Sequence, residues 1–181
     1  MEVKNAISNR RSIRKYQEKE VPISLVEKLI EAVRLAPSAY NAQPTKLIIL
    51  RSKEIKGKLK ENKIFKQNFV YNAPLIILFY GNPEAYAKEQ FEPTYSNPTE
   101  IAGEIGAVRD ISIAAQNLVL RATDLGLGTC YIGLVAREKA KEILGISKSY
   151  VLPFVITVGY PAEKPNAMPR KNRKDLISKD L

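Results

Sequence analysis

The chain reads as a sheet flanked by helices, of the α/β or α+β class. Three observations predict this. Short apolar runs alternate with helical patterns without long polar gaps. One helical stretch, Glu100 to Leu125, is far longer than the rest and apolar over a wide arc. No G-x-G-x-x-G follows a strand, which disfavours a Rossmann dinucleotide fold.

The elements follow in order. A short amphipathic segment carries Val3, Ala6 and Ile7. Ser24-Leu25-Val26-Glu27 reads as a capping box, and Leu25, Val26, Leu29, Ile30 and Val33 then share a helix face that Pro37 terminates. Leu47–Leu50 is a short buried strand, and Ile55–Asn62 a basic helix. Leu75–Phe79 is a second buried strand, opened by Pro74. Residues 81–99, with four prolines and glycines and with Tyr86, Phe91 and Tyr95, form an irregular excursion. It is either a substrate-facing flap or an ordinary surface loop. In the long helix, Ile101, Ile105, Val108, Ser112, Ala115, Val119 and Ala122 make one continuous face. Gly126 suits its left-handed cap, and Gly126–Gly133 reads as a third loop. Ala136–Leu144 is a short helix, Phe154–Val158 a third buried strand, and the Pro-rich remainder an extended basic tail.

Composition removes whole classes of chemistry. There is no histidine, so Ser-His-Asp and Cys-His catalysis and His-ligated zinc are excluded. The one cysteine excludes an internal disulfide and thiolate clusters, and fits a reducing cytoplasm. No run approaches the length of a membrane span, and the N-terminus lacks a signal-peptide core. The net charge of +10 is spread among acids rather than gathered into a nucleic-acid patch, and suits anionic small ligands better. A chain so poor in catalytic side chains is either no enzyme or one that borrows its chemistry from a cofactor.

Four motifs stand out: Arg10–Tyr16 (RRSIRKY), Ala36–Pro44 (APSAYNAQP), Ala73–Ile77 (APLII), and the segment from Ala114 to Gly133. Guanidinium forks and a serine hydroxyl match phosphate and other planar anions. In order and spacing these motifs resemble the nitroreductase family of flavin enzymes, over nearly the whole chain. The resemblance implies an α+β fold with a mixed, mainly antiparallel sheet flanked by helices and a long central helix at a homodimer interface. It also implies one FMN-binding domain over residues 1–181, with 162–181 as an extended C-terminal tail that docks on the partner.

The same resemblance implies the site. Arg10, Arg11, Ser12 and Arg14 match the N-terminal flavin motif. Arg10 and Ser12 would reach the phosphate and ribityl chain, and Arg14 the pyrimidine edge, where a fixed cation stabilises the charge left by reduction. Pro37, Ser38, Ala39 and Asn41 match a loop supplied by the opposite subunit. Gln43 and Pro44 either shape that loop or touch the ligand. Thr45 stands where many relatives have an aromatic residue. Gln67 aligns loosely with a polar flavin contact. Cys130, Tyr131, Ile132 and Gly133 match the segment running along the isoalloxazine, with Gly133 allowing close backbone approach. With no histidine to activate it, Cys130 reads as a buried apolar cysteine rather than a nucleophile. Tyr131 either lines the pocket or packs in the core. Arg170 matches a phosphate-binding arginine, with Lys171 and Arg173 as neighbouring alternatives.

The function implied is an FMN-dependent oxidoreductase. It takes hydride from NADH or NADPH and reduces nitroaromatic or quinone acceptors by a ping-pong mechanism. No metal, nucleic acid or membrane is expected. The alternatives are a specialised flavin enzyme of the same scaffold (a dehalogenase, a flavin-fragmenting enzyme or a dehydrogenase of a modified peptide), a non-enzymatic flavin carrier, and a basic nucleic-acid-binding protein.

Overall fold

A computed structural model of the chain describes residues 1–86 and 99–179. Four strands form one sheet in the order β1-β2-β4-β3, every neighbouring pair antiparallel. They are β1 (Thr45–Leu50), β2 (Leu75–Gly81), β3 (Gly128–Ile132) and β4 (Val151–Gly159). Around the sheet lie α1 (Val3–Asn9), α2 (Ile23–Arg34), α3 (Lys53–Glu61), α4 (Phe69–Asn72), α5 (Thr99–Asp124) and α6 (Arg137–Leu144).

The two faces of the sheet build two apolar clusters, as the period of two along a strand requires. Leu75, Ile77 and Phe79 join Ile156 and Val158 against α5 and α2, where Leu29, Ile111, Leu118 and Val119 meet them. Ile76 and Leu78 point the other way and join Val155, Cys130 and Ile132 with Leu59, Val70 and Ala140. Strand β2 is thus covered on both sides, which is why its sequence is a continuous apolar run.

Four sequence expectations are corrected. The segment from Gly126 to Gly133 is not a loop: five of its residues form the edge strand β3, paired with β4 from Gly128↔Gly159 to Ile132↔Val155. Three glycines hide a strand that is held by its neighbour rather than by its own propensity. Second, Ser24 does not cap α2. The helix begins at Ile23, with Pro22 preceding it and no side-chain cap bond; the Pro22 carbonyl already accepts from Leu25 and Val26. Third, Ile30 is exposed at 37%, so the apolar face of α2 is narrower than its sequence suggests.

The fourth correction concerns α5. Its buried side holds Ala107, Ile111, Ala114, Ala115, Leu118, Val119 and Ala122, while Ile105, Val108 and Ile113 are exposed at 52%, 37% and 39% and Ser112 is also exposed. The buried arc is therefore turned about a quarter turn from the expected face. The helix carries apolar residues on two arcs, and one chain covers only one of them. Of the excursion after β2, Tyr86 is described and buried. Phe91 and Tyr95 lie outside the described residues. Gly126 has φ 73°, as its capping role requires. The tail is extended apart from one short 3-10 turn at Arg173–Leu176, and Leu176 and Ile177 are exposed.

The N-terminal segment is stitched to the sheet beyond β3. Ile13 N–H donates to the Thr129 carbonyl at 2.8 Å, Ser12 bridges Thr129, and Tyr16 bridges Pro161. The seam needs Gly128: a Cβ there would stand 2.7 Å from Ile13 Cγ1 and 2.9 Å from Ile13 Cβ. Gly128→Ala is expected to cost about 1–3 kcal/mol through this overlap and to displace the Arg10–Arg14 segment. Thermal denaturation and bound-flavin content check both effects. Unchanged values would show that the segment shifts freely.

Candidate functional site

The stitched segment brings the first motif onto β3. Arg10, Arg11 and Ser12 are half-buried and Arg14 is exposed. Arg11 turns back onto its own helix end, with Nη1 donating to the carbonyls of Ser8 and Arg10, both at 2.8 Å. The Arg14 N–H donates to the carboxylate of Glu163, and so does Lys15 N–H at 3.1 Å. Glu163 thus fixes the backbone under Arg14, and Arg14 Nη1 reaches the Ser12 carbonyl at 3.4 Å.

Next to this segment lie Cys130 and Tyr131. Burial pushes the Cys130 thiol up, against the pull of the Arg14 charge, the Ser12 hydroxyl and the Arg10 charge. A protonated, buried thiol is no nucleophile. Burial also pushes Tyr131 up to about 12, against the Arg10 charge. Tyr131 sits edge-on to Phe154 with centroids 5.1 Å apart, and its hydroxyl donates to Gln116 Oε1 at 3.4 Å. Tyr16 is raised further, again by burial, and its hydroxyl meets Thr157 Oγ1 at 2.7 Å and donates to the Ile13 carbonyl at 2.7 Å. The region therefore offers cations and protonated donors, with its one carboxylate, Glu163, engaged by two backbone N–H groups.

Ile132 is buried beneath, and Gly133 ends the strand in the open. A Cβ at Gly133 would meet nothing within 4 Å. Neither the backbone nor packing within the chain demands glycine there, so what its absent side chain provides is room above the strand end. Among the described residues, Gln67 Oε1 is buried without a hydrogen-bond partner. Such an orphan acceptor calls for a donor from a bound molecule. A planar ligand carrying N–H groups and an anionic end fits this set.

The second motif lies elsewhere in the chain, against α5 and α2. Ser38 Oγ accepts the Gln43 N–H at 3.0 Å, and Ala39 N–H donates to Asp110 Oδ2 at 2.8 Å. Tyr40, Asn41 and Gln43 all have positive φ, of 53°, 55° and 45°. Asparagine tolerates this region; tyrosine and glutamine do so at a cost. Pro37 and Ser38 line a cavity of about 450 Å³ with Ile30, Leu47 and Asp110. Pro37, Ser38, Ala39 and Asn41 are thus grouped with one another but not with Arg10–Arg14. Arg170 is exposed on the tail, and its Nη1 donates to the carbonyls of Met168 and Pro169.

Two residues gain roles that the motifs did not give them. Asp110, on α5 and outside all four motifs, is 2% exposed and anchors the second loop. Glu163 gave no signal at all, being one acid in a Pro-rich tail. Among the described residues no group of three metal-ligating side chains occurs, and no helix is long and apolar enough to cross a membrane.

A protein-family model described as Nitroreductase family matches residues 7–160. This span holds the N-terminal seam, the strained loop, α5 and all four strands. The chain belongs to the nitroreductase family. Among its relatives is a Methanothermobacter thermautotrophicus protein described as an NADH dehydrogenase/NAD(P)H nitroreductase, 37% identical, with 99% of this chain and 85% of that protein covered. An FMN reductase [NAD(P)H] of Bacillus subtilis is 33% identical over 93% of this chain and 70% of its own length. A solved structure from Exiguobacterium sibiricum, assigned as a nitroreductase and in complex with FMN, superposes with a TM-score of 0.86 at 20% identity. It covers 99% of this chain and 98% of that one, and the likeness establishes the nitroreductase fold.

Proposed function

We propose that the chain is an FMN-dependent NAD(P)H oxidoreductase that acts as a cytoplasmic homodimer and reduces nitroaromatic or quinone-type acceptors by a ping-pong mechanism. One observation carries this reading: a cationic segment, Arg10–Arg14, is stitched beside a strand that ends in the bare Gly133. The relatives named as NAD(P)H nitroreductase and FMN reductase support the donor and the cofactor. Residues 1–181 act as one FMN-binding unit in this reading, with 162–181 reaching the partner.

Bound FMN supplies the hydride and electron transfer between NAD(P)H and the acceptor. The chain's residues bind and orient. Arg10 and Ser12 hold the phosphate and ribityl end, assisted by Arg170 or its neighbours Lys171 and Arg173. Gln67 would accept from an N–H group of the flavin, and backbone N–H groups from Cys130 to Gly133 would be available to it. Arg14, its backbone fixed by Glu163, places a cation where negative charge develops on reduction, and a cation fixed in advance costs no reorganisation at that moment. The loop with Pro37, Ser38, Ala39 and Asn41 closes over the partner's flavin and excludes water. Among the described residues no hydrogen bond joins this loop to Arg10–Arg14, as a site shared between two chains allows.

The test is the visible spectrum of the purified protein, followed by NADPH or NADH without oxygen. Flavin bands that bleach are the expected result. Arg14→Ala is expected to retain FMN and to be reduced about tenfold more slowly; equal reduction rates would remove the electrostatic role of Arg14. Bands that persist with either donor would favour a flavin carrier. A colourless protein that takes up no added FMN would overturn the cofactor.

A further inference from the structure

A cavity of about 720 Å³ opens beside Gly133, within the range that small ligands occupy. Its floor is apolar, with Phe65 and Leu134, and its cations are Lys60, Lys63, Lys66 and Arg137. No acid lines it. None of the three lysines forms an ion pair among the described residues, whereas Lys58, which shares α3 with Lys60 alone of the three, pairs with Glu54.

The walls are fixed without a ligand. Ala136 N–H donates to the Ile64 carbonyl at 2.9 Å, and Phe65 bridges Val135. The Tyr71 hydroxyl accepts the Phe65 N–H at 2.7 Å and donates to the Phe65 carbonyl at 2.9 Å. Arg137 Nε donates to the Leu152 carbonyl at 2.9 Å, and its Nη2 donates to the carbonyls of Gly133 at 3.1 Å and Pro153 at 3.0 Å. A preformed cavity loses little ordering entropy on binding.

Lys63 supplies an independent sign. Helix α3 ends in a Schellman arrangement: Ile64 N–H reaches the Leu59 carbonyl and Lys63 N–H the Lys60 carbonyl. Lys63 sits at its left-handed position with φ 51°. Glycine or asparagine is favoured there. A lysine strained by its backbone and lining a cavity between two other unpaired lysines points to an anion.

We propose that this cavity receives the phosphate-bearing arm of the pyridine dinucleotide, with Lys60, Lys63 and Lys66 on the phosphates and Phe65 and Leu134 against the adenosine. The proposal rests on the flavin reading for one point only, that Gly133 marks where the nicotinamide end lies. The size of the cavity favours a dinucleotide over a polymer, and two phosphate positions are open to it: the pyrophosphate and a 2′-phosphate.

The experiment is calorimetric titration of the flavin-bound protein with 2′,5′-ADP, 5′-AMP and adenosine. At least one phosphorylated probe is expected to bind, and adenosine is not. Binding of 2′,5′-ADP alone assigns the lysines to a 2′-phosphate; similar binding of both assigns them to the pyrophosphate. Lys63→Gly relieves the left-handed strain, so the Tm is expected to hold or rise while probe binding weakens about tenfold. The double variant Lys60→Gln/Lys66→Gln is expected to weaken it at least as much. Unaltered probe binding in both variants, or adenosine bound as tightly as 2′,5′-ADP, would overturn the cavity's role. Because binding is read without turnover, a protein that binds 2′,5′-ADP but is not reduced by NAD(P)H would sink the oxidoreductase reading and leave this one standing.

Discussion

Asp110→Ala is expected to destabilise the protein by about 2–4 kcal/mol and to release FMN, because it removes the acceptor that holds the second loop. The carboxylate is 2% exposed and fully engaged. Its Oδ2 accepts from the Ala39 N–H and from the Tyr86 hydroxyl, each at 2.8 Å, and its Oδ1 from Arg109 Nε at 2.8 Å. Arg109 is half in water and loses little when its partner goes. The Ala39 N–H is the costly loss, because it becomes a backbone donor with its acceptor removed, at about 1–3 kcal/mol, and the Tyr86 hydroxyl loses its bond to the carboxylate. The loop next to Ala39 holds three non-glycine residues at positive φ. Such a conformation persists only while its surroundings over-determine it. Urea unfolding and the flavin content of the variant measure the two effects. Asp110→Asn retains an acceptor oxygen and is expected to cost less; equal losses would mean that charge, not the acceptor geometry, holds the loop.

The pH dependence has a definite sign. Burial pushes the Asp110 carboxyl up, but hydrogen bonds from Arg109, Tyr86 and the Ala39 N–H outweigh it, and the net effect is a value below that of an ordinary aspartate. A carboxylate depressed in the folded state contributes stability that is fully present above its unfolded pKa of about 3.9. That contribution is lost as the pH falls through the lower folded value. Wild-type protein is therefore expected to lose stability below about pH 4 more steeply than Asp110→Asn does. With no histidine in the chain, no imidazole contributes between pH 5 and 8.

The buried strands were legible because a strand covered on both faces must be apolar at every position, and β2 is. The cap of α5 was legible because left-handed backbone selects glycine, and Gly126 supplies it. Strand β3 was not, because its register is set by β4 and by Ile13 across Gly128, contacts that no local pattern records. The motif residues of the candidate site were legible as types, Arg10, Ser12 and Arg14 above all. What fixes them in place was not. Glu163 reaches the Arg14 backbone across nearly the whole sequence, and Asp110 reaches Ala39 from the long helix. Of the lysines around Gly133, Lys60 reads as part of an ordinary basic helix and Lys63 and Lys66 carry no signal, until the turn at Lys63 brings the three to one cavity.

The misread face of α5 leads to the last expectation. Ile105, Val108 and Ile113 lie on the arc that one chain leaves open, with the exposed Ser112 among them. A long helix that is apolar on two sides is built to be covered twice, once by its own sheet and once by another surface. In the proposed homodimer that surface is the partner, and the loop carrying Ser38 and Asn41, anchored on the same helix through Asp110, then faces the partner's Arg10–Arg14 seam. Ile105→Glu/Ile113→Glu places two carboxylates in that interface, where each unpaired charge costs several kcal/mol. The variant is expected to sediment as a monomer, to keep its secondary structure, because both residues are already in contact with water within the chain, and to lose FMN. A monomer that keeps its flavin would show that each chain completes its own site, and the loop of Pro37 to Asn41 would then need another role. A variant that remains dimeric would place the interface on a different face. Loss of FMN together with dissociation is the outcome expected only if the loop from one chain closes the flavin site of the other.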